Sequence, residues 1–137
     1  MKKYITTLII LLFGVASANG VGKSPFDIGM FFKKINEKDI VFPFIYSSLE
    51  DNDDPDGEPF ITKTTAFPKD KSSFIVTSMQ QNYNEAIQRK AQKHIKRIST
   101  EKIEFTFSGP DNGYQIIFLF LKKNDQWKLV SFENAST

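Results

Sequence analysis

The sequence predicts an α+β domain in which one long amphipathic helix lies on an antiparallel sheet. Three observations carry that expectation. Met79, Tyr83, Ala86, Ile87, Ala91, His94, Ile95 and Ile98 recur with a 3.6-residue period, which predicts a helix over 79–98. Ile103, Phe105 and Phe107 alternate with Lys102, Glu104 and Thr106, the two-residue period of a strand with one buried face. Turn-forming residues at 108–113 and 122–126 then divide the rest into two further apolar runs, 114–121 and 127–133. Together these runs predict a three-stranded antiparallel meander covered by the helix before it.

The elements follow in order. Lys2 and Lys3 precede an apolar run of about ten residues, and Ala16-Ser17-Ala18 closes it with small residues where a signal peptidase reads. A membrane-spanning helix needs roughly 20 apolar residues, so the pattern favours a cleaved secretory signal over an anchor. Residues 1–18 are read as the signal peptide and 19–137 as a single secreted α+β domain; a cut after Gly20 is the alternative. Ser24, Pro25 and Asp27 read as a capped helix start, with Ile28, Phe31, Phe32 and Ile35 as the apolar stripe of a short helix over 25–36. Residues 39–46 are rich in Phe, Ile and Val, but Pro43 cannot donate to a ladder, which predicts an edge strand or an extended segment. Residues 50–59 read as an exposed loop and 60–67 as a strand, with 74–77 at or just before the start of the next element.

The 14 phenylalanines among 137 residues predict a large aromatic core, since each ring buries about 150–200 Å². Without cysteine there is no disulfide framework, thiolate metal site, cysteine nucleophile or bacterial lipid anchor. Loss of Lys2 and Lys3 with the signal leaves 16 basic and 16 acidic groups, so the mature chain has no global attraction to nucleic acid. No membrane association is expected after cleavage either. Run 114–121 is apolar on both faces, which makes it a central strand. Its second face is open to a partner subunit, giving a homodimer through the sheet, or to an apolar pocket.

Two constellations are candidates for chemistry. His94, the only histidine, falls on the predicted helix face, where it could act as a lone base with Glu85 or Tyr114 nearby. A local hydrogen bond at the core boundary is the favoured reading, because one base without an identified partner specifies no reaction. Glu50, Asp51, Asp53, Asp54, Asp56 and Glu58 form an acidic block, and Asn52, Asp54, Asp56 and Gly57 match the first half of a calcium loop. Lys63 stands where the bidentate glutamate is required, and Pro55 and Pro59 stiffen the loop, so an EF-hand is rejected. A solvated loop or partner-docking segment is favoured over a weak calcium site; no metal or other cofactor is expected. The basic stretch Arg89, Lys90, Lys93, Lys96, Arg97 and Lys102 lacks the interleaved aromatics of a nucleic-acid platform.

The closing residues 127–136, Trp-Lys-Leu-Val-Ser-Phe-Glu-Asn-Ala-Ser, are similar to the W-x-L-V-x-[FI]-E-x-x-S ending of small secreted bacterial domains of unknown function. Phe26-Asp27, Phe31-Phe32 and Phe42-Pro43 resemble the opening of that family. With the order of elements, this likeness points to the cystatin-like or nuclear transport factor 2-like fold, which implies a strongly curved sheet wrapping a long helix into a cone. The resemblance brings no catalytic residues. The Q-x-V-x-G loop of cystatin inhibitors is missing, its nearest match, Gln115-Ile116-Ile117, lying inside a strand. The paired His, Asp or Tyr of this fold's isomerases is not recognisable.

Two expectations of function follow. The first is a periplasmic, non-enzymatic binding or structural module with an unidentified protein partner, an immunity-type protein being one concrete form. The second is a small-ligand pocket in the cone around His94, Tyr83, Tyr114 and Trp127.

Overall fold

The computed structural model describes residues 26–50, 61–110 and 113–136. The signal segment, Ser24 and Pro25 lie outside them, as do residues 51–60. Helix α1 spans Ile28–Lys34 and is followed by a 3₁₀ turn at Glu37–Asp39. Strands β1 (Ile40–Glu50) and β2 (Ile61–Phe67) come next, then a 3₁₀ turn at Lys69–Lys71 and helix α2 (Ser72–Gln88). Strands β3 (Gln92–Ser99), β4 (Lys102–Ser108), β5 (Gln115–Lys123) and β6 (Gln126–Asn134) complete the order. All six strands form one sheet in the order β2-β1-β6-β5-β4-β3. The sheet is mixed, not purely antiparallel, because β1 runs parallel to β6.

Helix α1 is shorter than the expected 25–36. Asp27 has extended backbone and its Oδ1 accepts the Met30 amide at 3.1 Å, so Asp27 is the cap itself and helical geometry cannot begin before it. At the far end, Gln80 Nε2 donates to the Phe32 carbonyl at 2.9 Å, which satisfies a terminal acceptor and ties α1 to α2.

The expected edge position of 39–46 is a correction. Strand β1 is internal, hydrogen-bonded to β2 on one side and β6 on the other. Pro43 is tolerated because it falls where the ladder is interrupted. The register with β6 shifts between Ile40 and Ile45, and pairing with β2 begins only at Phe44.

The largest correction concerns the helix expected over 79–98. Helix α2 begins seven residues earlier, so Phe74 lies inside it, and it ends at Gln88; residues 92–99 are strand β3. The stop is a left-handed turn. Lys90 has φ 54°, its amide donates to the Ile87 carbonyl at 3.0 Å, and the Ala91 amide donates to Ala86 at 3.0 Å. That pair of bonds is a Schellman ending with lysine where glycine is usual. Strand β3 was hidden because it is an edge strand, exposed on nearly every residue and carrying Lys93, Lys96 and Arg97. Such a strand needs no two-residue alternation, and its lysines discourage edge-to-edge pairing.

The meander is longer by one strand than expected, β3 to β6, and its inner face is aromatic. Phe105 pairs with Phe118, which pairs with Phe132, and all three are buried. Phe32 from α1 meets Phe118 at 4.7 Å, while Ile75, Met79 and Ala86 of α2 join the same buried cluster. On the outer face of β5, Ile117, Leu119 and Leu121 are half-buried.

Two substitutions test this account by thermal and denaturant unfolding. Lys90→Gly removes the left-handed penalty and is expected to stabilise the fold by about 1 kcal/mol. Phe118→Ala is expected to destabilise by about 3–5 kcal/mol, because the ring is fully enclosed.

Candidate functional site

The four residues expected to line one pocket come from different elements. His94 is exposed on β3, opposite Thr106, so the helix face on which it was placed does not exist there. Tyr83 lies on α2 and stacks on Phe32 at 4.6 Å with a 17° interplanar angle. Its hydroxyl and Asp27 Oδ1 each come within 3.2 Å of the point a Gly29 Cβ would occupy, so Gly29 leaves the room that both side chains use. Burial, and then the Asp27 carboxylate, push the Tyr83 hydroxyl pKa above 10.0.

Tyr114 lies beside the C-terminal end of α2. The Arg89 guanidinium lies 4.5 Å from its ring centroid and pairs with Glu85 at 2.9 Å. Burial and Glu85 raise the Tyr114 pKa, with Arg89 opposing them, and Tyr114 Oη is buried without a hydrogen-bond partner among the described residues. Between α2 and the sheet pack the rings of Phe32, Phe107 and Phe118.

Trp127 lines a sizeable concavity. It opens β6 across from Lys122 near the end of β5, the two being cross-strand partners. The connection between them is the two-residue turn Asn124-Asp125, with φ 51° and 61°. Positive φ at both residues matches the right-handed twist of a hairpin, and Asn and Asp tolerate it. Phe26 stacks on the indole at 5.5 Å and 20°, and meets Phe120 edge-on at 5.0 Å, keying Trp127 to the core. An open groove of about 540 Å³ lies beside this corner. Phe26, Phe31, Met30 and Trp127 form its apolar part, and Lys34, Asp39, Lys122 and Asp125 are among its polar residues. Sequence reasoning found Trp127 but missed Lys122, Lys34 and Met30. The tight turn at 124–125 was the one signal that could have placed Lys122 beside the tryptophan.

Asp51, Asp53, Asp54, Asp56 and Glu58 lie outside the described residues, as does the Glu50 side chain, so the acidic block has no place in this geometry. Among the described residues no three His, Asp or Glu side chains group as metal ligands, and no helix is long and apolar enough to cross a membrane.

The tyrosines give a pH prediction. Above pH 10.0 the unfolded chain loses phenolic protons that folded Tyr83 and Tyr114 retain, so stability is expected to fall as pH rises through that region. Chemical denaturation from neutral to alkaline pH checks this, and Tyr83→Phe should flatten the decline. Tyr114→Phe should also raise stability at neutral pH by about 1 kcal/mol, since it removes a buried hydroxyl with no partner.

No family model matches the chain, and no curated protein sequence does so significantly. Among solved structures it is similar to an NTF2-like protein from Bacteroides fragilis, with 18% identity and a TM-score of 0.45, covering 78% of this chain and 44% of that one. This chain thus spans less than half the length of that protein. It is also similar to an NTF-2 like protein of unknown function from Shewanella oneidensis, with 12% identity and a TM-score of 0.38, covering 73% and 79% of the two chains. The chain's own arrangement, one long helix on a six-stranded mixed sheet, is an α+β fold.

Proposed function

We propose that this chain is a secreted, non-enzymatic binding module whose partner is a protein. The observation that carries the reading is the dispersal of its reactive side chains around a solid aromatic core. His94 is on an exposed edge strand, while Tyr83 is stacked on Phe32 and Tyr114 lies under the Arg89 guanidinium. An acid, a base and a cavity to hold them have to converge for catalysis, and this constellation lacks that convergence. Export to the periplasm of a Gram-negative cell follows from the charged, apolar and small-residue pattern at the start of the chain. The acidic residues from Glu50 to Glu58 provide the recognition segment, and a basic toxin neutralised by an immunity-type partner is one concrete form.

Two measurements test this reading. Intact mass of the exported protein should correspond to a chain beginning at residue 19 or 21. Affinity capture from the periplasm of the source cell should recover one stoichiometric protein, lost when the six acids of 50–58 are replaced by Ser. Capture unchanged by that replacement would remove the acidic segment from the reading. A second reading, binding of a small molecule, is favoured by the groove beside Trp127.

A further inference from the structure

We propose that the open edge of β3 takes an extended acidic peptide of a partner protein as a seventh strand, its carboxylates set against Lys93 and Lys96. This surface is opposite in charge to the acidic segment offered above for protein recognition and does not rest on it. Two independent observations converge on that occupant. The first is the backbone. β3 is the last strand of the sheet, bonded to β4 on one side and to no strand on the other among the described residues. Every second residue of such an edge turns its N–H and C=O away from the sheet, which makes a template for an extended chain. Pairing with β4 runs regularly from Gln92 to Arg97 and shifts only between Arg97 and Ser99, and every residue of β3 except Ile95 is exposed.

The second observation is charge. β3 carries Lys93, Lys96 and Arg97 and no acid. Over residues 89–104 six cations stand against two acids, Glu101 and Glu104, so the sign of this edge is settled. Arg89 is held by Glu85 at 2.9 Å, and Arg97 is already engaged. Lys93 and Lys96 are not. Neither makes an ion pair among the described residues, although Glu104 is the cross-strand partner of Lys96. An added strand with a carboxylate opposite each lysine neutralises both. A basic strand is repelled, and a second copy of β3 would set lysine near lysine. Lys93 pairs across β4 with buried Phe107 and Lys96 with Glu104, so the two lysines project to opposite faces of the sheet. The peptide therefore needs acids three residues apart as well. Nucleic acid fits less well, because it cannot continue a peptide ladder and residues 92–99 offer no aromatic ring for a base to stack on.

The test titrates the full chain, isotope-labelled, with the end-blocked octapeptide Thr-Val-Glu-Thr-Val-Glu-Thr-Val and follows amide shifts and hydrogen exchange by NMR. Saturable shifts and slowed exchange are expected at residues 92–97, with β2, the opposite edge of the sheet, unchanged. The same peptide with Lys for Glu, and an eight-nucleotide oligothymidylate, should each bind at least about tenfold more weakly. The double variant Lys93→Gln, Lys96→Gln should weaken the acidic peptide by about tenfold. Lys93→Arg with Lys96→Arg should retain it, both variants unfolding thermally like the parent. N-methylation of alternate peptide residues should abolish binding in one of the two alternating sets and spare it in the other, because only one set of amides faces β3. No saturable response at β3, equal binding of the basic peptide, or unchanged affinity in the double Gln variant would overturn the proposal. So would an equal loss from both N-methylated sets. Tighter binding of the oligothymidylate would overturn it in favour of nucleic acid. Protection of β3 that rises with protein concentration alone would do so in favour of a second copy. Replacing the six acids of 50–58 by Ser leaves the expected result as it is, so this proposal and the recognition segment above fail separately.

Discussion

The layer of phenylalanine rings between the helices and the inner face of the sheet is the constraint on which the rest depends. Phe105, Phe118 and Phe132 form a row across three adjacent strands, and Phe32 lowers α1 onto its centre. Rings of this size fill space that a cone would otherwise leave open, and close-packed interiors do not yield cavities cheaply. The same layer holds together a chain that has no disulfides.

The rim is built as an extension of that layer. Phe26 touches Phe105 and Phe120 edge-on and presents its face to Trp127, so the tryptophan is held by the core although it stands at the groove. The turn at Asn124-Asp125 places Lys122 opposite it, and Lys128 Nζ donates to the Lys38 carbonyl at 2.6 Å, tying β6 to the 3₁₀ turn ahead of β1.

How much could be read beforehand varied by element, for physical reasons. The strands at 102–107, 114–121 and 127–133 were legible within a residue or two, the first because it buries one face and so alternates, the other two because turn-forming residues bound their apolar runs. Helix α2 was recognised, but its end was displaced by ten residues. Lys90 adopts a conformation that its own chemistry disfavours, and the apolar spacing of Ala91, Ile95 and Ile98 continued the helical period by accident. In β1 the proline argument was right about the missing donor and wrong about the consequence, since a ladder irregularity hides a proline as well as an edge does. The site suffered most. His94 was placed on a helix beside Tyr83 and Tyr114, whereas it lies on β3.

By itself the sequence determined the class of the molecule, an α+β domain with an aromatic core and an antiparallel meander at its end, because periodicity and composition are local properties. Which strands are neighbours, where α2 stops and what surrounds Trp127 were decided by tertiary structure alone. The parallel pairing of β1 with β6 joins residues some ninety positions apart, and the groove gathers side chains from α1, β5 and β6. Contacts at that separation leave no periodic trace in the chain; they exist only once the buried faces have found one another.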